Sequence, residues 1–143
     1  MAHRFLLIFC LGVFCATSTF AEDIVVVVNP KNSVAKLSRD EVIDVFMGRN
    51  RLLSSGITAM PLDLPGAAVE RENFYSRLTG KSMSEINAYW ARLVFTGHAS
   101  PPALMRSQEE IMQRVIDNPR AVGYVSRSKV TSKVKVIFEL NEK

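Results

Sequence analysis

The sequence predicts an α/β domain in which a small mixed sheet is flanked by helices. Three observations carry this expectation: apolar, β-branched runs of strand length near both ends of the chain, amphipathic stretches at helical spacing between them, and three serine-led capping boxes marking helix starts. In order, the elements read strand, helix, strand, helix, helix, helix, strand, strand. No segment repeats.

The chain opens with Arg4, an apolar run from Phe5 to Cys15, and Thr19-Phe20-Ala21, which together have the layout of a secretory signal cleaved after residue 21. The run is shorter than the roughly 20 residues that a membrane-spanning helix needs. Cys10 and Cys15 each follow a phenylalanine, which argues against a lipid anchor. Both cysteines fall inside this segment, so residues 22–143 contain none, and packing rather than disulfides must stabilise the domain. With Arg4 removed, 17 basic side chains face 14 acidic ones, a net charge of +3. The basic residues are scattered and form no stripe interleaved with aromatics, so nucleic acid is not an expected partner.

Ile24 to Val28 is a continuous β-branched run, suited to a strand covered on both faces, and is expected at the centre of the sheet. Asn29-Pro-Lys-Asn-Ser33 breaks it. Ser38-Arg-Asp-Glu41 is a capping box, followed by Val42, Ile43, Phe46 and Met47 at helical spacing and by Gly48 as a stop. Ser54-Ser-Gly56 forms a turn, Ile57 to Leu64 a second strand, and Pro65-Gly66 closes it. A helix is expected from about Ala67 to Leu78, with Phe74, Tyr75 and Leu78 on one side and Gly80 at its end.

Ser82-Met-Ser-Glu85 opens the next helix, where Met83, Ile86, Trp90 and Leu93 make a core stripe; a role for Tyr89-Trp90 in ligand stacking is the less favoured reading. Gly97 to Pro102 must be a loop, because consecutive prolines exclude a helix or a central strand. Ser107-Gln-Glu-Glu110 caps the last helix, with Ile111, Met112, Val115 and Ile116 facing inward. Ala121 to Val125 and Val134 to Leu140 supply the final strands, the latter with Val134, Val136 and Phe138 expected on one face.

Several short motifs carry a family resemblance. Asn29-Pro-Lys-Asn-Ser-Val34, then Leu37 to Arg49, then Ser107-Gln-Glu-Glu-Ile and Asn118-Pro-Arg-Ala-Val-Gly-Tyr-Val125 resemble the second lobe of the periplasmic phosphate-binding proteins of ABC uptake systems, over about Val27 to Arg127. The resemblance implies a single lobe of the type 2 periplasmic binding fold, with phosphate or another small oxyanion as ligand and a membrane transporter or sensor as partner. In that family an arginine and a Ser-Gly-Thr at the start of a helix help to hold the oxyanion. The matching stretch here is Leu62 to Val69, where Gly66, Ala67 and Ala68 replace the hydroxyl-bearing tripeptide and Asp63 or a neighbour replaces the arginine.

The expected ligand site is therefore built from backbone amides at Gly66, Ala67 and Ala68, with Arg71 one turn into the helix; the competing reading is that Pro65-Gly66 only turns the chain. Family members close two lobes on the ligand, whereas 122 residues suffice for one, so a ligand-free accessory or sensory module stands as the second functional reading.

Catalytic chemistry finds little material. One histidine, His98, remains in residues 22–143 and no cysteine accompanies it, so neither a Ser-His-Asp set built on a second histidine nor a Cys/His metal cluster can be assembled; His98 itself, in a Gly- and Pro-rich loop, reads as an exposed loop residue in preference to a base or ligand. Asp40 and Asp44 share a helix face but read as a solvated pair. No catalytic residue, metal or cofactor is expected.

Overall fold

The computed structural model describes residues 22–140; the expected signal segment lies outside them. Five strands form one mixed sheet: β1 (Ile24–Val28), β2 (Met60–Asp63), β3 (Ala103–Leu104), β4 (Ala121–Ser126) and β5 (Lys135–Leu140). Four α-helices accompany them: α1 (Arg39–Phe46), α2 (Val69–Thr79), α3 (Met83–Thr96) and α4 (Gln108–Asp117). The order across the sheet is β3-β2-β4-β1-β5. β1 runs antiparallel to both β4 and β5, whereas β2 is parallel to β4 and β3.

β1 is interior and all five of its residues are buried, as a β-branched run without polar alternation requires. The central position, however, belongs to β4, which lies between β1 and β2 and is also buried throughout. Hydrophobic content marks a strand as covered on both faces but says nothing of its place in the order, which the connections decide.

Three features differ from the sequence expectation. The second strand is shorter than residues 57–64, because Thr58 forms an isolated bridge with Leu52 instead of joining the sheet. The edge strand β3 has no sequence signature, being two exposed residues after Pro102 that pair with β2. In β5 the buried residues are Ile137 and Leu140, joined by Val134 just before it, while Val136 and Phe138 are half-buried. A bulge explains this: Val26 pairs with Phe138 and Val27 with Val136, so Ile137 is the extra residue and the alternation shifts by one.

The Asn-Pro turn after β1 ties the sheet to α4. Asn29 Nδ2 donates to the carbonyls of Val115 (3.1 Å) and Ile116 (2.7 Å), and Asn32 Nδ2 donates to that of Pro119 (3.2 Å). Two buried asparagines thus satisfy carbonyls near the α4 C-terminus that its own helix leaves unpaired. From the other side α4 lies directly on β4, where a Cβ at Gly123 would stand 2.3 Å from Ile111 Cγ2. Glycine is needed there for close approach. Between α1, α2 and β4 sits an aromatic cluster: Phe74 stacks on Tyr124 with centroids 4.0 Å apart, and Phe46 meets both rings edge-on.

Candidate functional site

At the end of β2 the chain turns through Pro65, Gly66 and Ala67 and enters α2 at Val69. The preceding residue, Asp63, is buried and accepts four hydrogen bonds. Its donors are the Leu64 backbone N–H (2.9 Å), Arg71 Nε (3.2 Å), the Tyr75 hydroxyl (3.0 Å) and the Tyr124 hydroxyl (2.6 Å). The carboxylate is thereby satisfied from β2, α2 and β4 at once. Burial, and then the adjoining carboxylate, hold the Tyr75 and Tyr124 hydroxyls well above the ordinary tyrosine range, keeping them neutral donors.

Arg71, which the sequence suggested as an anion contact, is buried and pairs with Asp63 through its Nε, with its guanidinium carbon 5.3 Å from the Tyr75 ring centre. The pairing of an acid before the turn with an arginine eight residues later is the feature that sequence reasoning missed. An (i, i+8) spacing across a turn corresponds to no local motif, so only the fold brings these two charges together.

Gly66 and Ala67 are exposed and Ala68 is half-buried. Ala68 is the N-cap of α2 and, having no side-chain oxygen, makes no capping bond. The other three helices are each capped by a serine: Ser38 accepts from Glu41, Ser82 from Glu85 and Ser107 from Glu110. α2 alone among these four starts uncapped, and its first N–H groups carry the positive end of the helix dipole.

That start opens into a cleft of about 550 Å³, lined on one side by Leu64, Pro65, Ala67 and Ala68 and on the other by Arg106, Ser107, Gln108 and Glu109 at the beginning of α4. Gln108 bridges the walls: its Nε2 donates to Glu70 (3.3 Å) and its Oε1 accepts from the Ser126 N–H (2.6 Å). The rim carries both signs. Glu22, Glu70 and Glu109 supply negative charge, and Arg106 and Lys129 positive. Lys129 bonds Glu109 at 2.7 Å, which holds that carboxyl below its usual range and raises the lysine. Glu22 is likewise lowered, chiefly by the Ser128 hydroxyl.

His98 is exposed in its loop, and Asp40 and Asp44 lie on α1 away from this cleft. Tyr89 and Trp90 pack inward, the Tyr89 hydroxyl donating to the Met47 carbonyl at 2.8 Å. Among the described residues no group of three acidic, histidine or cysteine side chains could hold a metal, and no helix is long and apolar enough to cross a membrane.

The fold matches a part of several solved structures of phosphate transport proteins. The chain superimposes on an ABC-type phosphate transport receptor from Vibrio cholerae with a TM-score of 0.64 and 20% identity, covering 81% of this chain and 45% of that one. A putative phosphate ABC transporter substrate-binding protein with bound phosphate from Clostridium perfringens gives a TM-score of 0.65 at 16% identity, with 81% and 44% covered. PstS from Borrelia burgdorferi gives 0.63 at 8% identity, with 81% and 46% covered. The chain thus spans less than half the length of these proteins, and at such identities the likeness establishes the fold alone. No known family profile matches the sequence, and no curated protein matches it.

Proposed function

We propose that the chain is a periplasmic solute-binding-like protein, exported by a cleaved signal over residues 1–21, whose domain of residues 22–143 takes phosphate or another small oxyanion at the start of α2. The observation that carries this reading is the uncapped N-terminus of α2 opening into the cleft, where the turn at Gly66, Ala67 and Ala68 leads into amides that no side chain occupies. Arg71, expected as an anion contact, is taken up by Asp63 and is not among the residues that line the cleft, so the backbone amides are the donors in this reading. The likeness to proteins named for phosphate transport supports the choice of anion and a membrane transporter as partner.

Selectivity and affinity follow from the rim. With three carboxylates against two cations, a dianion meets opposition, and a cleft open to water encloses it poorly, so binding by this chain alone is weak. The same three carboxylates favour the second reading, a ligand-free accessory or sensory module of an envelope complex. Calorimetric titration of residues 22–143 with phosphate, and in parallel with sulfate, separates the two. Heat that saturates and is specific to one oxyanion supports the binding protein; silence at millimolar phosphate removes it in favour of the module.

A further inference from the structure

We infer that the outer face of α3 is the contact surface of a two-fold symmetric dimer of this chain. Of the 14 residues of α3, Ile86 and Trp90 are buried. On the opposite side Ser84, Ala88, Ala91 and Phe95 recur at four, three and four residues, all exposed, and Phe95 is 93% exposed. A phenylalanine in that position has no packing role within its own chain, and Ala91, one turn before it, and Ala88, a further turn back, are small enough for another helix to approach closely.

The face is complementary to itself. Let two copies of α3 run antiparallel about an axis midway between Tyr89 and Trp90. Each Ala88 then lies opposite the other copy's Ala91, and each Phe95 lies opposite the other copy's Ser84, where a small side chain leaves room for the ring. Arg92 and Glu85 share one flank of the helix, and the symmetry brings Arg92 of one copy beside Glu85 of the other, offset along the axis by about 3 Å. Arg92 lies 6.0 Å from the Tyr89 ring centre and forms no salt bridge among the described residues; Glu85, 59% exposed, reaches Lys81 only at 3.9 Å. Two such pairs form per dimer, and a parallel arrangement would form neither. This complementarity of charge and size in one register selects a second copy over an unrelated partner.

A face one helix long is small beside the roughly 1,000 Å² that a stable interface clears, so the association is weak and concentration-dependent. It does not depend on the cleft at α2, and either can fail without the other. The test is sedimentation equilibrium of residues 22–143 from micromolar to millimolar chain. The expected result is a reversible monomer–dimer equilibrium that Phe95→Asp weakens about tenfold or more, the equivalent of one lost anchoring side chain. Arg92→Glu and Glu85→Arg each weaken it, and the double variant restores it. Glu85 also completes the α3 capping box, so thermal melting accompanies that variant, while Phe95→Asp, at an exposed site, tests the surface without that complication. A monomer throughout the range, a dimer indifferent to Phe95→Asp, or a double variant no better than the singles overturns the proposal.

Discussion

Two helices begin at the same cleft and are finished differently. α4 starts at a serine whose hydroxyl accepts from the Glu110 N–H at 3.2 Å, while Glu110 reaches back to the Arg106 N–H at 2.6 Å. α2 starts at an alanine with nothing in that role. Capping stabilises a helix by roughly 0.5–2 kcal/mol, so an uncapped start among capped neighbours gives up stability, and a start left open is one that an anion can fill. Four helix N-termini are present among the described residues, and the residue at the N-cap decides which of them keeps its first amides free of a side-chain acceptor.

The largest expected effect comes from the charge that supports the open side. Asp63→Ala leaves Arg71 buried without its counter-charge and two tyrosine hydroxyls without an acceptor, which costs about 3–5 kcal/mol. Urea denaturation measures it, and a loss below about 1 kcal/mol would mean that the network does not fix the β2–α2 turn. The same network makes the fold sensitive to base. Tyr75 and Tyr124 have raised folded values, so above about pH 10 the unfolded chain loses protons that the folded chain keeps. Their contribution is complete below that pH and declines above it by about 1.4 kcal/mol per pH unit for each tyrosine. Tyrosinate absorbance should show Tyr75 and Tyr124 titrating only as the chain unfolds; their ionisation ahead of unfolding would contradict the burial.

On the capped side, Gly123→Ala drives a methyl group into Ile111 and should cost about 1–3 kcal/mol as α4 is pushed off the sheet. The smallest effects bear most closely on the comparison, because they exchange the two finishes. Ser107→Ala should lose about 1 kcal/mol, whereas Ala68→Ser should gain about as much by capping α2. Opposite signs in thermal or urea melts would establish the asymmetry; equal signs would dissolve it.

Much of this architecture was legible in the sequence because it rests on local rules. Each capping serine states where its helix begins, and Ser38, Ser82 and Ser107 are all observed as N-caps. The continuous run at 24–28 announced a strand covered on both faces. Non-local facts were not legible. The central place of β4 follows from strand order, the inward turn of Ile137 from a bulge in its pairing with β1, and the Asp63–Arg71–Tyr75–Tyr124 cluster from three elements meeting. At the cleft, the turn at Pro65-Gly66 and the absence of side-chain hydroxyls at Gly66 to Ala68 could be read from the chain. That Asp63 would be neutralised beneath the turn, rather than facing an incoming anion, could not.

If the first amides of α2 are the ligand donors, as proposed, amide-resolved NMR titration with phosphate shows it directly. Phosphate should shift the N–H signals of Val69, Glu70 and Arg71 in a saturable manner, leave that of Glu110 at the capped start of α4 nearly unmoved, and lose its effect in Ala68→Asp, where a fixed carboxylate occupies the position. Shifts scattered over surface lysines, or none at α2 while Glu110 moves, would contradict it.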